Sequence, residues 1–304
     1  MDLSKLISVF VPTHIIRAST DPYIENEMIT ETILQAYTKL GLEGVQFFIY
    51  PDARFNKTHP ELMSRYYEYL DSIRDFPEFS KIHINVVRDS RETMRNNWLK
   101  FVEEDCSTPY MLFLEHDWGF AQEIDISKSI EDFENNASIG YMKFNAYPHD
   151  QEMQHLAQSK NWDWIFEQDE TLDLKQPLLK ITFFSGNPHI ARVKTCKELY
   201  IPEMKKHCPP EKSKGTSHLE KDIKKAELRS IDSLRDCGFS NFATDRSAAW
   251  GHQWPLSGNT AIGKGCQKCE RAIREHQKKW GLFMIGSWGD NKRVYHLGDW
   301  CRKE

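Results

Sequence analysis

No apolar run in this chain approaches the length of a membrane-spanning helix. The N-terminal run Leu6-Ile-Ser-Val-Phe-Val-Pro12 is short and lacks a small-residue cleavage site, so it reads as a strand and not as a leader peptide. There is no basic excess either. Lys and Arg number 40 against 45 Asp and Glu, a formal net charge of −5, which argues against a general nucleic-acid binder but leaves room for a local basic groove. A disulfide framework is also missing, because the 7 cysteines (Cys106, Cys196, Cys208, Cys237, Cys266, Cys269 and Cys301) are odd in number and irregularly spaced. Reduced thiols are expected, and with them a cytoplasmic protein. No internal repeat, low-complexity tract or linker divides the chain. What remains is 304 residues, 39% hydrophobic and 28% charged, enough to bury a real core without staples. The 9 tryptophans are numerous, and core packing is the expectation for any one of them.

Strands and helices alternate through the first half. Strands are expected at Leu6–Pro12, Val45–Tyr50, Ile82–Val87 and Tyr110–Leu114, with helices over Glu25–Leu40, Pro60–Phe76 and Arg91–Glu104. That order implies βαβ units and a mainly parallel sheet. Further strands are expected at Ile139–Ala146 and Leu179–Phe184. Met204 to Gly215, with its Lys-Lys, Pro-Pro and Lys-Ser-Lys-Gly, reads as a mobile loop. Ser217 to Asp236 resumes a helical period, with Ser217 and Glu220 spaced as a capping box. From Gly238 to Leu297 few stretches are periodic. Residues 1–150 thus read as a nucleotide-binding half and 151–304 as an acceptor-binding half of the same domain.

The segment richest in chemistry is Tyr110-Met-Leu-Phe-Leu114 followed by Glu115-His116-Asp117. Carboxylates at the end of a buried strand are costly unless compensated. A divalent cation with its phosphates compensates them, since hard cations take carboxylate oxygens. In open α/β sheets this edge is also where ligands bind.

An acidic triplet ending the fourth strand after three βα units resembles the GT-A fold of nucleotide-sugar glycosyltransferases, in which an Asp-x-Asp motif occupies that place. The resemblance implies a GT-A-like, Rossmann-type sheet flanked by helices, with a mixed C-terminal half. It implies Mn²⁺ or Mg²⁺ held by Asp117 and Glu115, with Glu115 standing where the family has Asp, and with His116 beside the donor. Pro12, Thr13, His14 and Asp52 match the strand ends where that family holds base and ribose. Arg88, Arg95 and Asn96 match the stretch that faces the nucleotide, and Ser185 and Gly186 match a small-residue turn near sugar and acceptor. Ser217-His-Leu-Glu220-Lys-Asp222 resembles the late acidic motif that supplies the general base of inverting members, with Glu220 first and Asp222 second. His296 matches a late histidine that returns to the metal, and the basic stretch Lys205–Lys214 a loop that closes over the donor. The partners implied are a nucleotide-sugar donor and a glycan or glycoprotein acceptor, with no nucleic acid, as in soluble bacterial or viral members.

Ordinary readings stand beside these. Thr13, Asp52 and Ser185–Gly186 also suit plain turns, and the arginines a solvated helix face. Trp250-Gly-His-Gln-Trp254 and Ser257-Gly-Asn259 line a sugar pocket or simply pack. Cys266-Gln-Lys-Cys269 has zinc spacing without a second pair. A nucleotidyltransferase is the nearest alternative, disfavoured because Pro12–Arg17 has no glycine. A silent carbohydrate-binding protein would suit the Trp-rich second half.

Overall fold

Ile7–Thr13 forms β1, and every residue of it is buried. Such an all-apolar strand belongs in the middle of a parallel sheet covered on both faces. In the computed structural model it does: β2 (Gln46–Pro51) and β4 (Tyr110–Phe113) flank it in parallel. The structure describes residues 1–13, 22–53, 59–146, 170–181, 184–209, 219–230, 267–286 and 294–297. β3 (His83–Val86) extends the sheet beyond β2, again in parallel. On the other side of β4 come β8 (His189–Arg192), β6 (Tyr141–Phe144), β9 (Leu282–Ile285) and β7 (Leu178–Lys180), so the order is β3-β2-β1-β4-β8-β6-β9-β7. Only β8 and β7 run against the rest. The architecture is α/β with a large, mostly parallel central sheet, as the sequence predicts, and the sheet takes strands from both sides of residue 150.

Helices cover both faces because successive strand residues alternate between them. Val9, Val11 and Leu112 pack with Ile33 and Ala36 of α1 (Pro22–Lys39), Leu70 of α2 (Pro60–Ser72) and Phe133 of α4 (Ile126–Asn135). Phe10 and Phe113 pack on the opposite face with Trp98 of α3 (Met94–Lys100) and Phe101 of the π turn that continues it to Asp105. The same cluster takes in α5 (Ile201–His207), α6 (Leu219–Arg229) and α7 (Gln267–Trp280). The helix α2 shows the local logic. Met63, Tyr66, Tyr67 and Leu70 recur at the spacing of one helical face, and all four are buried. Trp98 and Trp280 are fully buried, in line with the core expectation for tryptophan.

One expectation is corrected here. Met204 to His207, read from composition as loop, is the last part of α5. Pro202 lies just past the π turn Cys196–Tyr200, where the ordinary helical hydrogen-bond pattern is already interrupted, and Lys205, Lys206 and His207 complete the last turn, where cations suit the carbonyl end. The rest of the expected loop, from 210 onward, lies outside the described residues, as do Trp250–Trp254 and Ser257–Asn259. No described helix is long and apolar enough to cross a membrane.

Candidate functional site

The strands β3, β2, β1 and β4 run parallel, so their carboxyl ends line one edge. The chain passes from β1 to β2 on one side, while β4 joins β1 on the other. The order reverses between β1 and β4, and ligands of open α/β sheets bind in the crevice outside that point. Thr13 ends β1 there, and Glu115-His116-Asp117 follows β4 there.

The backbone of the acidic turn is held from three directions. Thr32 of α1 donates its hydroxyl to the His116 carbonyl at 2.9 Å. The Trp118 amide donates to the Glu115 carbonyl at 3.4 Å, and the Leu297 amide donates to the Asp117 carbonyl at 2.8 Å. The His116 side chain is buried, whereas Glu115 and Asp117 are half-buried. Trp118 Nε1 donates to the Glu115 carboxylate at 3.3 Å. Next, β5 (Trp118–Phe120) pairs antiparallel with β10 (Val294–His296), in a register that sets His296 opposite Trp118. Two residues separated by most of the chain in sequence, Asp117 and His296, are thereby brought to adjacent backbone positions. The His296 side chain lies outside the described residues. Among the described residues no three His, Cys, Asp or Glu side chains converge as a metal site.

β5 and β10 are locked onto α1. Gln35 accepts from the Phe120 amide at 2.7 Å and exchanges hydrogen bonds with the Tyr295 hydroxyl. The Tyr295 ring lies over Gly119, where an added Cβ would sit 2.6 Å from its Cζ. Gly119 is therefore required by close approach and not by turn geometry.

The residues expected around the base and ribose build the rim beside this turn. The Asp52 amide donates to the Thr13 carbonyl at 2.8 Å, and the Thr93 amide donates to the Asp52 carboxylate at 3.2 Å. Thr13 Oγ1 shares a hydrogen bond with the Tyr66 hydroxyl. Pro12 is buried within β1, and His14 lies outside the described residues. Thr93 caps α3 at φ +77°, a conformation β-branched residues rarely adopt. Asn97 steadies that loop by accepting from the Arg91 amide at 2.5 Å and donating to the Pro51 carbonyl at 3.3 Å.

The three residues expected at the nucleotide are placed differently from one another. Arg88 pairs with Asp71 and lies 4.7 Å over the Tyr67 ring, with half of its side chain exposed. Asn96 donates to the Glu92 carbonyl at 2.9 Å. Arg95, by contrast, is 1% exposed, and its guanidinium donates to Asp222 at 2.8 Å and to the Cys208 carbonyl at 2.6 Å. The structure thus joins an arginine expected to face the nucleotide to one of the two expected bases. Burial, with the nearby Asp222 charge, raises the Cys208 thiol above its usual range. Glu220 stands on the first turn of α6, with its side chain outside the described residues, as is Ser217.

The chain matches no protein-family model, and no curated protein matches it in sequence. Among solved structures, S. aureus TarS is similar over 64% of this chain and 29% of its own, at 12% identity and a TM-score of 0.34. A 4-diphosphocytidyl-2C-methyl-D-erythritol synthase from Anaerococcus prevotii is similar over 75% of this chain and 85% of its own, at 10% identity and a TM-score of 0.37. This chain therefore spans less than a third of the length of TarS.

Sequence reasoning missed a second group at the same edge. Because β8 is antiparallel, its first residue, His189, pairs with Phe113 at the end of β4, and Lys143 of β6 pairs with His189. The His189 ring is fully buried, stacked 4.8 Å from Phe113 and flanked by Tyr141 and Phe184. Burial pushes its pKa down to about 3, so the ring is neutral, and Nδ1 bonds the Asn187 carbonyl at 2.8 Å. The Ser185–Gly186 turn leads directly into this strand, so it does lie at the sheet edge that carries the acidic turn.

Proposed function

We propose that this chain transfers a sugar from a nucleoside-diphosphate sugar to a hydroxyl acceptor, with inversion. One observation carries it: the acidic turn Glu115–Asp117 stands at the switch point of a parallel sheet, with the His296 strand drawn alongside by the β5–β10 register. Two hard oxygen donors at that edge, and an imidazole-bearing residue beside them, fit a divalent cation such as Mn²⁺ or Mg²⁺. When bound, that ion stabilises negative charge on the departing diphosphate as a Lewis acid.

The remaining chemistry belongs to the chain. Asp117, Glu115 and His296 would hold the metal, and the His116 side chain is buried in the same turn. Thr13 and Asp52 form the rim that receives base and ribose, and Pro12 and His14, the neighbours of Thr13 in sequence, are assigned to the same contact. Arg88 and Asn96 lie at the ends of β3 and α3 and contact the nucleotide from that side. Ser185 and Gly186 border the sugar. Glu220 takes the acceptor proton, since Asp222 is engaged by Arg95. A carboxylate suits that task once it is partly desolvated, because loss of water raises its proton affinity.

Incubating the purified chain with Mn²⁺ and a panel of UDP- and GDP-sugars, and measuring release of free nucleotide, tests this. One donor is expected to turn over. Asp117→Asn should lower that rate by about a hundredfold or more while leaving the melting temperature nearly unchanged. Full activity in the Asn variant would remove the assignment.

A further inference from the structure

The turn from Phe184 to Pro188 is held by more buried polar side chains than a simple reversal needs. The Phe184 amide donates to both carboxylate oxygens of Glu227, at 2.9 and 3.2 Å. The Tyr141 hydroxyl donates to the Ser185 carbonyl at 2.8 Å and lies 3.3 Å from the Ser185 amide. The Asn187 amide donates to Ser185 Oγ at 3.3 Å, and His189 Nδ1 bonds the Asn187 carbonyl at 2.8 Å. Behind this set His276 of α7 stands 3.8 Å from Glu227, and both side chains are 0% exposed.

Taking a carboxylate wholly out of water is costly, and Glu227 is so placed with both oxygens on the amide of a turn. Turns that only join two elements do not require it. Sites that must hold a ligand to within a fraction of an ångström do, because their contacts need support from a rigid layer behind them. The turn also lies where β8 enters the sheet, beside the end of β4 and its acidic residues.

We propose that Glu227, seated against His276, is a positioning residue: it fixes the Phe184 backbone so that the Ser185–Gly186 turn presents a preset surface to the sugar end of a nucleotide-sugar donor. This rests on the transferase reading above. Glu227 touches no substrate and acts through the turn, and Tyr141 and His189 hold the turn's other carbonyls in the same way. Nucleotide binding itself, at the β1, β2 and β3 ends, is independent of it.

Glu227→Gln keeps an acceptor for the Phe184 amide, and Glu227→Leu removes it at similar volume. Amide exchange over residues 184–189 should stay near wild type in the Gln variant and quicken at least tenfold in the Leu variant. Donor turnover should fall within about threefold for Gln and about a hundredfold for Leu, the scale of a small misplacement in a reacting geometry. The dissociation constant for UDP or GDP with Mn²⁺ should stay within about twofold in both. Tyr141→Phe, which keeps the core ring, should reproduce the split more weakly and serves if the Leu variant does not fold. Unchanged exchange in the Leu or Phe variant, or equal losses for Gln and Leu, overturns the proposal. If the wild-type chain turns over no donor, the transferase reading fails, and the exchange measurement still decides whether Glu227 holds the turn.

Discussion

At the scale of single residues, His189 gives this protein an acid-sensitive element. Its ring is buried among three aromatic side chains, and burial holds its pKa near 3 against an ordinary value of 6.5. Below pH 6.5 the unfolded chain binds a proton there that the folded chain refuses. The resulting contribution is fully present above about pH 6.5 and fades as the pH falls toward 3. Its size is on the order of a few kcal/mol, since one pKa unit corresponds to about 1.4 kcal/mol. Urea melts at pH 7 and pH 4.5 should show lower stability in acid, and His189→Phe should lessen that drop. An equal drop in both would mean that carboxylates elsewhere account for it. Residues of this kind were hard to see in the sequence. Asp117 stood out because it follows a continuous apolar run, whereas His189, Lys143 and Glu227 sit amid ordinary hydrophobic spacing; only the strand register places His189 and Lys143 at the edge, and only the packing of α6 brings Glu227 to the Phe184 amide. Arg95 shows the reverse failure: the resemblance assigns it to the nucleotide, while the partner the structure gives it, Asp222, is 127 residues away and so invisible to local pattern.

Elements with clean periodicity were legible, and those that bury polar residues were not. The helix α2 announces itself through Met63, Tyr66, Tyr67 and Leu70. The buried stripe of α7, by contrast, is Ala272, Ile273, His276, Gln277 and Trp280, and its two polar members break the apolar pattern. β9 follows at once after Gly281, whose φ of +58° turns the chain and whose missing Cβ leaves room for the Ser138 carbonyl. Short strands were lost for another reason: β5 has three residues and gains its stability from β10, far along the chain. That pairing makes a sharp prediction at the level of the element. Gly119→Ala would push against the Tyr295 ring at 2.6 Å and drive it off Gln35. Overpacking of this kind costs about 1–3 kcal/mol. The Leu297 amide, which bonds Asp117, should then exchange faster, and donor turnover should fall with it. Loss of stability without faster exchange at Leu297 would show that β10 is not what holds the acidic turn.

Over the whole molecule, the question is what keeps the two ends of the chain in one register around the site. The sheet joins them through β4 and β8, which pair over four residues each. A second tie crosses from α3 to α6 and α5, where Arg95 bonds Asp222 and the Cys208 carbonyl. The Cys208 thiol strengthens the same corner by donating to the Asp222 carbonyl at 3.5 Å. The arginine side chain is 1% exposed and the aspartate 10%, so this pair lies where solvent screens little. Breaking a buried pair from one side leaves the other charge unpaired, which costs about 3–5 kcal/mol, whereas replacing both partners by apolar groups is often nearly neutral. Arg95→Met and Asp222→Leu should each be strongly destabilising in urea melts, while the double variant should recover about 2 kcal/mol or more beyond the sum of the single losses. The recovered double variant then separates two roles for Arg95. Restored folding with full affinity for nucleotide would make the arginine a brace that sets α6, and with it Glu220, against the first half of the sheet. Restored folding with affinity still lost would return Arg95 to the phosphates.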